Sequence, residues 1–257
     1  MKLDWDYTDL ARSYLKRPEY CTSALEQIFL LTGTQPGMLA CDVGAGTGNL
    51  TVPLLERGLR VVAVEPNAAM RTLGIGRTAH HKEINWISGR GEEMGLAFSA
   101  FDLVTFGSSF GVVERAAALA EAARILKDGG WFVCLWNHRD LDDPVQQSIE
   151  RLIQQEVPEY QYGIRRQEQS EVINANPAFG QAAKVEASFE KVVDTEEWLE
   201  AWRSHATLKR QAGSKFEALL AAIAELVRKA GNGKLAVPYT TRAWLAQKLT
   251  RKNESSR

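Results

Sequence analysis

Between residues 38 and 137, five short apolar runs are separated mostly by helix-like segments, and this order constrains the fold more than any other feature. "MLACDV" is the first run, followed by "NLTVPLLERG", a helical pattern with Gly58 near its end. "RVVAVEP" is stopped by Pro66, and "INWISG", "FDLVTFGSS" and "WFVCLWN" follow. "NAAMRTLGIGRTA" reads as a weak helix interrupted by Gly74 and Gly76, and "ERAAALAEAARILKDGG" as a strong one ending at Gly129 and Gly130. Short connections of this kind argue for a parallel sheet covered by helices on both faces. Runs apolar on both faces, such as "RVVAV" and "WFVCLW", agree with it. A helix over residues 21 to 32 precedes the first run, ended by Gly33 and Pro36-Gly37.

After Asn137 the pattern changes. "PVQQSIERLIQQEV" reads as a helix capped by Asp142-Asp143 ahead of Pro144. "KVEASFEKVVDTEEWLEAWRS" gives an alternating strand and then a helix, with Asp194 or Thr195 as its cap. "FEALLAAIAELVRKAG" is an amphipathic helix, "KLAVPYTTRAWLAQKL" a last strand and "TRKNESSR" a frayed tail.

The bulk numbers exclude several functions. Lys plus Arg is 31 against 32 for Asp plus Glu, and no basic run stands out, so no nucleic-acid partner is expected. Cys21, Cys41 and Cys134 form no CxxC pair, which argues against structural zinc and a disulfide framework, and no metal is expected. The start lacks an apolar signal core and no stretch approaches 18 consecutive apolar residues. The expectation is a cytoplasmic protein without a membrane partner, a monomer or homodimer.

The chemistry is concentrated in "LACDVGAGTGNL", a strand, a glycine turn and a helix start. Ligands of parallel α/β sheets bind at the carboxyl ends of the strands, where such a turn lies. Glycines let a ligand approach the backbone, and the N–H groups of the helix start can donate to it. The dinucleotide fingerprint G-x-G-x-x-G would need glycine at position 49, which is Asn49, and no Gly-Lys-Ser/Thr follows for a P-loop. The spacing is instead Asp42-x-Gly44-Ala45-Gly46-x-Gly48, and a carboxylate there repels a pyrophosphate but suits a cation.

This loop resembles that of the class I methyltransferases, which use S-adenosylmethionine (SAM). The resemblance covers roughly residues 10 to 137. It implies that Asp42, Gly44, Ala45, Gly46 and Gly48 wrap the amino-acid and ribose portions of SAM. Glu65, at the next strand end, would bind the ribose hydroxyls, followed by Pro66; Met70 reads either as an adenine contact or as helix core. "SGRGEEMGLAF" is similar to the family's third-strand turn, with Arg90 in place of its acid and Gly91 and Glu92 as adenine-side candidates. Phe106, Gly107 and Ser108 occupy the fourth-strand motif beside the methionine half of SAM. "ARSYLKRPEYC" looks like the lead-in that closes over the cofactor, through Tyr14, Arg17 and Tyr20; tyrosines packed on the domain surface are the other reading.

The resemblance implies an α/β fold: a doubly wound, mostly parallel, Rossmann-like seven-stranded sheet with a helical cap. Residues 1–36 would be an N-terminal helical lid, 37–137 the SAM-binding core, 138–180 a cap insertion, and 181–257 the strands and helices completing sheet and cap. The implied function is methyl transfer from SAM to a small-molecule acceptor. Such a transfer needs alignment and dryness, with a base only where the nucleophile carries a proton. Candidates for that chemistry are Asn137, His138, His205, Tyr160 and Tyr162, each with a plain structural alternative, and Phe110 is a further aromatic for the sulfonium. Trp198 and Trp202 read as core, and His80 and His81 as solvated. The polar and aromatic mix after residue 138, without a basic patch, suggests a small, partly polar acceptor. Alternatives are a SAM-dependent cyclase or lyase that attacks the aminobutyrate carbon and releases methylthioadenosine, a dinucleotide-dependent reductase, and a non-catalytic SAM-binding protein.

Overall fold

The computed structural model describes residues 7–250. The first six residues of the expected lid and nearly all of the tail expected to fray lie outside them. Seven strands form one sheet: β1 (Leu39–Val43), β2 (Arg60–Val64), β3 (Ile84–Ile87), β4 (Phe101–Gly107), β5 (Leu126–Arg139), β6 (Ala183–Asp194) and β7 (Lys234–Gln247). Their order is β3-β2-β1-β4-β5-β7-β6. β1 to β5 are parallel, while β7 runs antiparallel to both β5 and β6. The strand order turns between β1 and β4, so the carboxyl end of β1 faces a crevice suited to a ligand.

Ten helices flank the sheet among the described residues. α1 (Ala11–Tyr14) and α2 (Thr22–Leu31) precede it, α3 (Thr51–Glu56) joins β1 to β2, α4 (Ala68–Thr78) joins β2 to β3, and α5 (Arg115–Ile125) joins β4 to β5. α6 (Pro144–Glu156) and α7 (Ser170–Asn174) lie between β5 and β6. α8 (Thr195–Trp202), α9 (Ala206–Ala212) and α10 (Phe216–Ala230) lie between β6 and β7. None is long and apolar enough to cross a membrane.

The two-residue period of the strands sorts side chains onto two faces. Cys41, Val43, Val104, Phe132 and Cys134 pack with α5 on one, while Ala40, Leu103, Val133 and Leu135 meet α2 and α3 on the other. A third core, built from Ile149, Ile153, Trp198, Trp202, Leu219, Ile223 and Tyr239, joins α6, α8 and α10 to β7. The expected caps form: Asp143 accepts from Val145 and Gln146, and Asp194 from Glu196 and Glu197.

Three local readings are corrected. The strong helix ends at Ile125, and Gly129 and Gly130 lie inside β5, where a Cβ on Gly130 would meet the Asp102 carbonyl at 3.1 Å. α4 is continuous through Gly74 because the Trp86 ring lies against it; a Cβ there would come within 2.2 Å of the indole. No helix joins β3 to β4, so the alternation of strand and helix breaks at residues 88–100.

Candidate active site

The turn after β1 is stapled to β2, with Gly44 and Ala45 N–H donating to the Val64 carbonyl at 2.8 and 3.1 Å. Gly44 and Gly46 have φ of +63° and +59°, a region that costs other residues strain. A Cβ on Gly44 would lie 2.5 Å from Ser109 Cβ, and one on Gly46 3.3 Å from Met70 Cε. The turn therefore needs bare backbone both for its path and for its neighbours.

Two buried carboxylates flank it. Thr51 and Thr105 hydroxyls donate to Asp42 at 2.7 and 3.0 Å. Burial nevertheless pushes the Asp42 carboxyl up to about 7, against the pull of those two hydrogen bonds. Gly46 and Asn67 N–H each donate to one oxygen of Glu65, both at 2.8 Å, fixing its plane toward the cleft. Burial raises Glu65 as well. Neither acid is in a salt bridge among the described residues, although Arg71, which donates to the Glu65 carbonyl at 2.6 Å, lies near it.

Two cavities meet at this turn. One, of about 800 Å³, is lined by Gly44, Gly46, Glu65, Pro66, Met70, Gly91, Glu92 and Val113. The other, of about 1000 Å³, runs from Asp42, Ala45 and Leu50 under α8, reaching Asn137, His138, Trp202, His205 and Tyr239. Both include Tyr14, Gly44, Gly46, Gly107 and Ser108. Ser108, at the end of β4, has φ of +62°, and its hydroxyl meets Tyr20 Oη at 2.9 Å. A strained non-glycine residue at the junction of two cavities is a usual mark of a working site.

Most of the expected cofactor residues thus converge, and a few do not. Gly48 faces Trp86 and Thr78, and Phe106 is buried against Phe110 and Phe132; neither reaches the cavities. Phe110 is likewise core. Gly91 lies where a Cβ would meet Val113 and Phe106 at 3.0 and 3.2 Å, and Glu92 accepts from Glu114 N–H at 2.8 Å. Arg17 donates to the Ser204 hydroxyl and carbonyl at 2.8 and 2.7 Å and stacks on Tyr14.

Among the reaction candidates, Asn137 is occupied. Its amide donates to the Pro18 and Glu19 carbonyls and its oxygen accepts from Thr241, so it pins the N-terminal segment. Tyr160 is buried in the helical core, outside the cavities, and Tyr162 lines the larger one while donating to Glu150. His205 stacks on Trp202 at 4.6 Å. His138 is buried, with Nε2 lacking any hydrogen-bond partner. Burial, and then nearby Arg166, Arg242 and Arg165, hold its imidazole down to about 3. Burial and Arg17, Arg165 and Arg139 likewise hold His205 well below the usual range. Both rings are therefore neutral across the physiological range. Trp198 and Trp202 are core and chamber wall at once. Among the described residues no three metal-ligating side chains converge.

The sequence reading missed Arg165 and Arg166 in a short turn after Tyr162, which line the chamber beside Arg17 and Arg139. The only local signal was the basic pair in "YGIRRQ". The expectation of a chamber without a basic patch is therefore corrected: the charge is assembled from three distant segments.

Residues 41–134 match the model of the methyltransferase domain family. An uncharacterised methyltransferase of Mycobacterium tuberculosis is 39% identical over 124 residues, 48% of each chain. A ubiquinone/menaquinone biosynthesis C-methyltransferase of Rubrivivax gelatinosus is 32% identical over 108 residues, 41% of each. The chain spans about half the length of the curated relatives it matches. The solved structure of a candidate type II methyltransferase from Anaeromyxobacter dehalogenans superposes with a TM-score of 0.66 at 20% identity, covering 91% of this chain and 99% of that one. The fold is that of this solved methyltransferase structure.

Proposed function

We propose that this chain transfers the methyl group of SAM to a small-molecule acceptor held between the carboxyl edge of the sheet and helix α8. The observation that carries the reading is the pair of cavities joined at the glycine turn, one suited to a nucleoside and one roofed by the cap. The residues fit the cofactor. Glu65 presents two oriented oxygens to a vicinal diol, and bare backbone at Gly44 and Gly46 leaves room that a side chain would fill. Asp42 and Glu65, both buried and in no salt bridge among the described residues, suit a ligand that carries a cation. Arg17, beside Asp42 in the same cavity, is the group we assign to the cofactor carboxylate.

Bound SAM supplies an activated methyl on a sulfonium. The chain's own part is alignment and the exclusion of water. Residues 7–36 act in this reading as the lid. Ser13 donates to Glu200 at 2.6 Å and Lys16 to Glu197 at 2.5 Å, which ties α1 and its following turn to α8 over the chamber. The separate acceptor chamber favours transfer between molecules over attack on SAM's own aminobutyrate carbon. C-methyltransferases among the relatives make a carbon nucleophile the first acceptor class to try. The test is chromatography of nucleosides after incubation with SAM, with and without a desalted small-molecule extract. S-adenosylhomocysteine formed only with the extract supports the proposal; methylthioadenosine formed without it would replace it by the intramolecular reaction.

A further inference from the structure

The roof of the chamber holds more positive charge than its acids neutralise. Arg139 is satisfied, with Gln146 at 2.6 Å and Glu150 at 2.8 Å. The second oxygen of Glu150 accepts from Tyr162. Arg165 and Arg166 have no acidic partner among the described residues. Arg165 reaches the Tyr160 hydroxyl at 3.4 Å, and Arg166 donates to the Arg139 carbonyl at 3.0 Å while stacking 4.6 Å from the Tyr162 ring. Each guanidinium carries five N–H donors, so most of theirs face the cavity unused. Two adjacent cations, partly shielded from water and repelling each other, are costly to hold unless something pairs with them.

Two further observations point to a ligand there. His138, 4% exposed, lines the same chamber, and its buried Nε2 has no hydrogen-bond partner. Both histidines are held neutral in part by these arginines, the mark of an uncompensated positive field. Trp202 and Tyr162 line the same space, the Trp202 ring already stacked with His205 and Arg139.

We infer that the acceptor carries an anionic group, a carboxylate or a phosphate, seated on Arg165 and Arg166, with its body against Trp202 and Tyr162. The inference deepens the proposed methyl transfer and rests on that reading for the word acceptor. The planar forks of two arginines match a two- or three-oxygen anion better than lysines would. Charge on the substrate then gives selectivity: a neutral analogue leaves two buried cations unpaired.

The test uses benzoate, phenyl phosphate and benzyl alcohol as probes, titrated calorimetrically into the full chain with and without S-adenosylhomocysteine. One of the anions is expected to bind at least about tenfold tighter than benzyl alcohol, since the difference is a charge-assisted contact. Which anion wins separates carboxylate from phosphate. In an Arg165→Gln/Arg166→Gln double variant the preference is expected to collapse to within about twofold, with S-adenosylhomocysteine affinity unchanged. An Arg165→Lys/Arg166→Lys variant retains part of it. Equal binding of the three probes to the wild type would overturn the inference, as would a preference that survives in the glutamine variant. A loss of S-adenosylhomocysteine affinity in that variant would reassign the arginines to the cofactor. If S-adenosylhomocysteine fails to bind while the arginine-dependent preference persists, the anion site stands and the methyl-transfer reading fails.

Discussion

Asp42→Asn separates the needs of the ligand from those of the fold. The carboxyl is pushed up to about 7 from an ordinary value of 3.8, chiefly by burial. At about 1.4 kcal/mol per pH unit, keeping it ionised in the folded chain costs up to about 4 kcal/mol. The folded value lies above the unfolded one. The cost is therefore absent below pH 3.8, grows between 3.8 and 7, and is complete above 7. Asparagine keeps the shape and removes the charge. Its amide NH₂ needs one hydroxyl to turn and accept, and Thr105 can then donate to the Cys41 carbonyl, 3.4 Å away. We expect Asp42→Asn to be more stable than the wild type at pH 8 by about 1–3 kcal/mol, allowing for imperfect amide bonding, and no more stable at pH 4. The same variant should bind SAM at least about tenfold more weakly at pH 8, because the cation loses its counter-charge. Wild-type affinity should also fall as pH drops below 7. Urea unfolding at the two pH values and titration calorimetry read both effects. A variant that is destabilised at pH 8, or that binds SAM as the wild type does, would refute the reasoning.

Other outcomes follow from the same geometry. Gly46→Val forces a β-branched residue to φ +59° with its Cβ 3.3 Å from Met70, and should abolish measurable SAM binding while far-UV circular dichroism stays unchanged. Glu200→Gln with Glu197→Gln removes the charges that meet Ser13 and Lys16. Because Lys16 and Glu197 are exposed, urea unfolding should show little change in stability, whereas proteolysis within residues 7–20 should accelerate in the presence of SAM relative to the wild type. His138→Phe replaces a buried, partnerless ring nitrogen with an apolar ring; it should leave SAM affinity intact, read by titration calorimetry, and should not lower stability in urea unfolding.

The parts legible in the sequence are those whose signal is local. The β1 turn carries its glycines, its acid and its helix start within a dozen residues, and Glu65 follows at the next strand end. The five apolar runs declare a sheet because parallel strands are covered on both faces. What was missed depends on tertiary approach. Gly129 and Gly130 resemble a helix terminus, but the second is needed where the Asp102 carbonyl comes close. Phe106 sits in the right motif, yet the strand's alternation turns it into the core with Val104. The chamber's charge escaped notice because Arg17, Arg139 and the Arg165–Arg166 pair meet only after folding. Asn137 looked like a reactive polar group at a strand end, and the structure gives it the job of holding residues 18 and 19.

The central claim is that SAM sits on the glycine turn between Asp42 and Glu65. Titration of SAM into the wild type and into Glu65→Ala tests it most directly. The account predicts one site per chain in the wild type and an affinity at least about tenfold weaker in the variant, since two hydroxyl contacts to a buried carboxylate are lost. No heat of binding in a folded wild type, or equal affinity in the two proteins, would contradict it.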